Sequence, residues 1–122
     1  MVEFQGKTYG FLLTAEAACA LGDMCPDRDL DKLDEALTGS DTAETVQRQI
    51  HFAKILNDGY AVYAEMMGRS ADRLNEADVP RMPFPVFMNI KNAAFEAYLK
   101  GLRGEIDAEI IDPKKQETRA DG

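Results

Sequence analysis

Few residues in this chain are of types that could do chemistry, and their spacing argues against most of it. The single histidine, His51, would have Gln47, Arg48, Lys54 and Ile55 as neighbours one helical turn away. None of those four is a base partner or a metal ligand. The two cysteines, Cys19 and Cys25, stand six residues apart, which is not the C-x-x-C spacing of a redox or zinc motif. With His51 they make no recognised zinc set, so they read as idle or buried thiols of a reducing compartment. Asp27, Asp29, Asp31, Asp34 and Glu35 are dense enough to raise calcium. An EF-hand loop needs glycine at its sixth position, and Lys32 stands there, so a solvated helix face is expected instead. No glycine-rich loop joins a strand to a helix in the way that cradles phosphate. Paired acids for glycoside hydrolysis want an aromatic cleft, and tryptophan is absent. The expectation is a non-enzyme with no catalytic residue, no cofactor and no metal.

The composition bounds what such a chain can be. At 122 residues with a 45% apolar share it is long enough for one folded domain with a modest core. No window approaches the roughly 18 consecutive apolar residues of a membrane span, and the first residues lack a secretion-signal pattern. Net charge is −8, with −5 on residues 27–44, −3 on 104–122 and +2 on 45–103. Acid is thus concentrated in one segment and the tail. No basic stripe exists for phosphate contacts, which disfavours nucleic acid as a partner.

The elements are organised around residues 41–67. Asp41 three residues ahead of Glu44 opens a capping box. Val46, Ile50, Ala53, Leu56, Tyr60, Tyr63/Ala64 and Met67 then form one stripe at steps of three and four, and Gly68 is the expected left-handed stop. A helix of about 26 residues, roughly 39 Å long at 1.5 Å per residue, must be the central strut. Ahead of it, residues 2–13 read as a two-stranded hairpin about a glycine turn. Thr14 caps a small-residue helix ending near Gly22, and Pro26-Asp27 start a second helix with Leu30, Leu33, Ala36 and Leu37 inside. After it come a polar joint and one helical turn at 75–78. A stiff elbow at Pro80, Pro83 and Pro85 leads to a last helix from Val86 that Gly101 and Gly104 end. The expected fold is mainly α: a small helical domain at 1–104 around one long central helix, with a short N-terminal β-hairpin. Residues 105–122 read as an acidic tail, disordered beyond about residue 112 despite the short apolar patch Ile106, Ile110 and Ile111.

What remains is an apolar surplus. Tyr60, Tyr63, Met66 and Met67 crowd the end of the long helix, and Met82, Phe84, Phe87 and Met88 follow across the elbow. Phe52, Ile55, Val62 and Met66 lie opposite the main stripe, more apolar surface than a small bundle is expected to cover. Phe52, Tyr60, Tyr63, Met66, Met67, Met82, Phe84 and Phe87 are therefore the candidate partner-binding residues, since methionine repacks readily against varied partners. The same surplus makes a homo-oligomer an expectation.

The order of these features resembles the tail assembly chaperones of long-tailed bacteriophages and related prophages. The similarity rests on the Phe4-Gln5-Gly6-Lys7-Thr8-Tyr9 opening followed by Leu13-Thr14, an acidic leucine-spaced helix at 28–38, and a long helix ending Met66-Met67-Gly68. The turn Leu74-Asn75-Glu76-Ala77-Asp78-Val79 then precedes the last helix. It spans about residues 1–103, and the proline elbow departs from the family's pattern. The resemblance implies a mostly helical, non-catalytic protein of the bacterial host's cytoplasm. Such a protein would bind the tape-measure protein, recruit tail-tube subunits and keep them dispersed during assembly. It also implies, for many members, a longer product made by ribosomal frameshifting; Asp112-Pro113-Lys114-Lys115 is a string that slippery codons can encode. The other reading is a small acidic regulatory or inhibitory protein that binds a single host protein.

Overall fold

The computed structural model describes residues 1–105. The readings of residues 106–122 (the apolar patch, the tail's disorder and the slippery string) lie outside the described residues. The order is strand β1 (Val2–Phe4), strand β2 (Lys7–Tyr9) and helices α1 (Ala15–Asp23), α2 (Leu33–Ala36), α3 (Thr42–Met66) and α4 (Phe84–Leu102). Single 3-10 turns lie at Pro26–Arg28, Leu30–Lys32 and Val79–Arg81. The chain is mainly helical around one long helix, with an antiparallel hairpin at its start.

The capping residues act much as their types dictate. Thr14 Oγ1 accepts from Ala17 N at 3.0 Å and starts α1. Asp41 Oδ1 accepts from Glu44 N at 2.8 Å and starts α3. Glu44 reaches back one residue further than a standard box, taking the N–H and hydroxyl of Ser40 at 3.2 and 2.6 Å. Those bonds, with the Arg48 guanidinium alongside, hold its carboxyl below the usual carboxylate range. Gly68 closes the far end with φ +79°. Arg48 also donates to the carbonyl of Thr38 at 3.1 Å, tying the carbonyl end of α2 to α3.

The hairpin is shorter than residues 2–13. Its register is Val2 with Tyr9, Glu3 with Thr8 and Phe4 with Lys7. Gln5 and Gly6 both take positive φ, 50° and 79°, the pattern of a two-residue turn whose twist matches the strands. The outer edge of β2 is covered, because Thr8 N donates to Asp72 Oδ2 at 2.8 Å. After Tyr9 the chain leaves the hairpin and runs extended over the helices. Leu12 N donates to Leu56 O of α3 at 3.0 Å.

That extended segment lies close to backbone at two glycines. A Cβ on Gly59 would fall 2.6 Å from Leu12 O, and one on Gly101 would fall 2.6 Å from Leu13 Cβ. Gly59 is therefore the reason Leu12 can lie directly on α3. Gly101, expected as a helix stop, lies inside α4 and gives Leu13 room; Gly104, at φ +76°, follows the helix.

The acidic segment is not one helix. Pro26 opens a 3-10 turn, Asp27 and Arg28 take φ of 57° and 55°, and Asp29 Oδ1 accepts from Asp31 N at 3.0 Å. These local alternatives break the run, leaving α2 with one turn. Leu33 and Ala36 are nonetheless buried, as the leucine spacing requires. Left-handed backbone costs an arginine about 1 kcal/mol that glycine avoids. Arg28→Gly is therefore expected to raise stability by about 0.5–1 kcal/mol in urea titrations. The ion pair it removes, to Asp23 at 3.8 Å, is solvent-exposed and worth little.

The polar joint after α3 contributes to the core. Leu74 and Val79 are fully buried and belong to the same core cluster as Leu21, Phe52, Leu56 and Ile90. Residues 75–78 form a turn rather than helix, with Asn75 Oδ1 accepting from Ala77 N at 2.9 Å. Helix α4 begins at Phe84, two residues earlier than its periodicity predicts. Pro85 sits in the first turn, where a missing N–H leaves no intrahelical bond unmade.

Candidate interaction surface

Cys25 and His51 line one broad concavity of about 510 Å³ with Arg48 and Glu35. The Cys25 thiol donates to Leu21 O at 3.1 Å. Burial, with the charge of Asp29 nearby, pushes its pKa up, so it is held as a thiol and not as the nucleophilic thiolate. His51 does have a partner, from 25 residues further along: its Nδ1 lies 2.7 Å from Glu76 Oε1, at an exposed site. Cys19 is exposed and both cysteines are free. Among the described residues, no group of three or more His, Cys, Asp or Glu side chains could hold a metal ion, and no helix is long and apolar enough to cross a membrane.

The eight candidate partner-binding residues are not gathered on one surface. Phe52 and Phe87 are buried and must be removed from the set. Phe52 is enclosed because α4 packs against α3, bringing Phe95 and Tyr98 to ring separations of 6.1 and 5.9 Å. Ile55 is buried too. The bundle thus buries residues on both apolar sides of α3 between Ile50 and Gly59, contrary to the expectation of an uncovered second face. Tyr60, Tyr63, Met67 and Met82 are half-buried. The Tyr60 ring packs against Gly10, where a Cβ would fall 2.6 Å from it. Met82 lines a cleft of about 320 Å³ with Phe4, Tyr9, Lys7 and Arg81.

Met66 and Phe84 are the members that solvent reaches freely, at 78% and 64% exposure, and Val62 is exposed beside Met66 on α3. Phe84 rests partly on Phe87, ring centroids 5.7 Å apart. The apolar surplus is therefore real but smaller than the sequence implies, and it flanks the 67–83 connection.

Two features escaped the reading of the sequence. Phe95, Leu99 and Leu102 of α4 are also exposed, though they sit next to the core stripe Phe87, Ile90, Ala94 and Tyr98. Their four-three spacing was available as a signal. The second is Asn57, a fully buried polar residue of α3. Its Nδ2 donates to Gly10 O at 2.9 Å and its Oδ1 accepts from Leu74 N at 2.7 Å. It fixes the extended N-terminal segment and the joint to one helix, and no motif announces it. No protein-family model, curated protein or solved structure matches the chain.

Proposed function

We propose that this chain is a non-catalytic assembly chaperone of the long-tailed phage type, working in the bacterial cytoplasm. Its clients are the tape-measure protein and the tail-tube subunits. The observation that carries this reading is the presence of exposed, pliable apolar residues, Met66 and Phe84 foremost, on a strongly acidic and well-capped helical scaffold. The order of sequence features from Phe4 to Val79 supplies the family.

The mechanism is apolar capture with acidic dispersal. Met66, with its flexible thioether, and Phe84 hold apolar helical segments of a client. The acidic run at 27–44 keeps the complex dispersed in solution through net charge.

Co-expression with the tape-measure and tube proteins of a long-tailed phage tests this. The clients are expected in the soluble fraction and in the same purified complex. Met66→Asp combined with Phe84→Asp should keep the circular dichroism of the wild type, because both side chains are exposed. The same variant should weaken client capture about tenfold or more. Clients that stay insoluble beside the wild-type chain, or that bind the double variant equally well, would overturn the proposal. Capture of one host protein in their place would install the inhibitor reading.

A further inference from the structure

The exposed apolar residues of α4, Phe95, Leu99 and Leu102, continue a line begun by the half-buried Met88, and the line is arranged for a particular kind of neighbour. Met88, Asn92, Phe95, Leu99 and Leu102 follow one another at steps of 4, 3, 4 and 3. That alternation averages 3.5 residues, the repeat of a helix that meets another helix along a seam. At 100° per residue the line lies about a third of a turn round from the buried stripe Phe87, Ile90, Ala94 and Tyr98, so it is a second apolar face. Phe95, Leu99 and Leu102 are 37%, 39% and 56% exposed. The base of the seam is firm: the Phe95 ring leans on Phe52 and Tyr98 at 6.1 and 6.2 Å. A groove of about 230 Å³, lined by Leu37, Gln49, Phe52, Lys91, Asn92 and Phe95, runs along its flank.

We infer that this seam pairs with the same seam of a second copy, the two α4 helices lying parallel about a two-fold axis. Two observations select that occupant. The first is Asn92, the one polar residue on the line. In a parallel pair an a-type residue meets its own copy, so the two amides donate and accept across the axis and fix the register. An antiparallel pair would set Asn92 against Met88, Phe95 or Leu102 and leave its amide unpaired.

The second is charge. With Asn92 and Leu99 at a-type positions, Lys91 falls at g and Glu96 at e, the two positions that approach each other between parallel helices five residues apart. Symmetry makes the Lys91–Glu96 contact twice. Among the described residues Lys91 has no ion-pair partner. Glu96 is two-thirds exposed and carries only Lys100 of its own helix, at 3.1 Å. The inference concerns self-association and does not depend on the identity of any client.

Sedimentation equilibrium of the full chain over a wide concentration range tests it. A monomer–dimer equilibrium is expected, with Leu99→Glu shifting the dissociation constant upward at least tenfold at unchanged helix content. Lys91→Glu should weaken the dimer, and adding Glu96→Lys should restore it. Should Leu99→Glu fail to fold, Asn92→Cys in a Cys19→Ser background gives an independent reading. Mild oxidation should link two chains through residue 92, since that position meets itself only in the parallel arrangement. A chain that stays monomeric at the highest concentration, a dimer indifferent to Leu99→Glu, or a dimer that Asn92→Cys does not cross-link would each overturn the proposal. So would a monomer that dimerises only after removal of residues 106–122, which would make the chain's own tail the occupant of the seam.

Discussion

Asn57→Leu is expected to lower the stability of this protein by about 3 kcal/mol or more. Leucine has the same number and branching of side-chain heavy atoms as asparagine and is the bulkier of the two, so the loss is not a cavity effect. It comes from Gly10 O and Leu74 N, which lose their partners at a site closed to water. Each buried group left unsatisfied costs about 1–3 kcal/mol, against a total stability of about 5–15 kcal/mol for a domain. Urea unfolding should show a lower midpoint with an unchanged slope. Asn57→Asp separates the two bonds. Its carboxylate can still accept from Leu74 N but cannot donate to Gly10 O, and it adds a buried charge. Burial raises the folded-state pKa of such a group above its unfolded value. Its deficit relative to wild type should therefore grow as pH rises from the unfolded carboxylate pKa through the folded one, and shrink on acidification, when the protonated acid can donate. A deficit independent of pH would show that Asn57 acts through shape alone.

Gly59→Ala is expected to destabilise, although the same change in an ordinary helix interior gains about 1 kcal/mol. The new methyl would lie 2.6 Å from Leu12 O, a backbone atom held by its own residue's bond to Leu56 O. Either α3 or the extended segment must move, and overpacking of this kind costs about 1–3 kcal/mol. A net loss of up to about 2 kcal/mol follows. Gly22→Ala in α1 is the matched control. Its methyl would meet Arg28 O at an ordinary 3.7 Å, so it should stabilise by about 0.5–1 kcal/mol. Opposite signs for two glycine-to-alanine changes, read by thermal or urea unfolding, are the expected result. Equal signs would mean that the segment at 10–13 does not bear on α3.

Much of this fold was legible because its boundaries are set by local chemistry. Asp41, Thr14 and Gly68 satisfy backbone groups within three or four residues of themselves, and such events can be read without knowing the rest of the chain. The periodicity of α3 was equally plain. What periodicity lacks is the supply of neighbours. It shows that Phe52 and Ile55 form an apolar face, but not that α4 returns to cover them. Asn57, Leu74 and Val79 were hidden for a related reason. Their burial depends on residues about 15–65 positions away, and a joint of charged residues disguises the two apolar side chains it carries inward. The acidic run misled differently: its leucine spacing is truly inside-facing, yet Pro26 and the Asp29 turn interrupt the hydrogen bonding that spacing alone would suggest. For the candidate surface, Met66 and Phe84 were legible as surplus, while the α4 seam was masked by the stronger core stripe beside it.

The close seating of residues 10–13 has a consequence in time. Leu12 bonds to Leu56, Gly10 to Asn57, and Leu13 settles against Gly101. A segment made first thus takes its last neighbour from residues made some 90 positions later. During synthesis α1 and α3 can form as soon as they emerge, since their bonds are local. The N-terminal strand cannot be locked until α4 is free of the ribosome. Contacts of such long sequence separation are the slow step in small domains. The nascent chain therefore passes through a stage in which α3 is built but its α4-facing side is still bare, and the closing of the N-terminal segment and α4 onto one helix is the event that finishes folding.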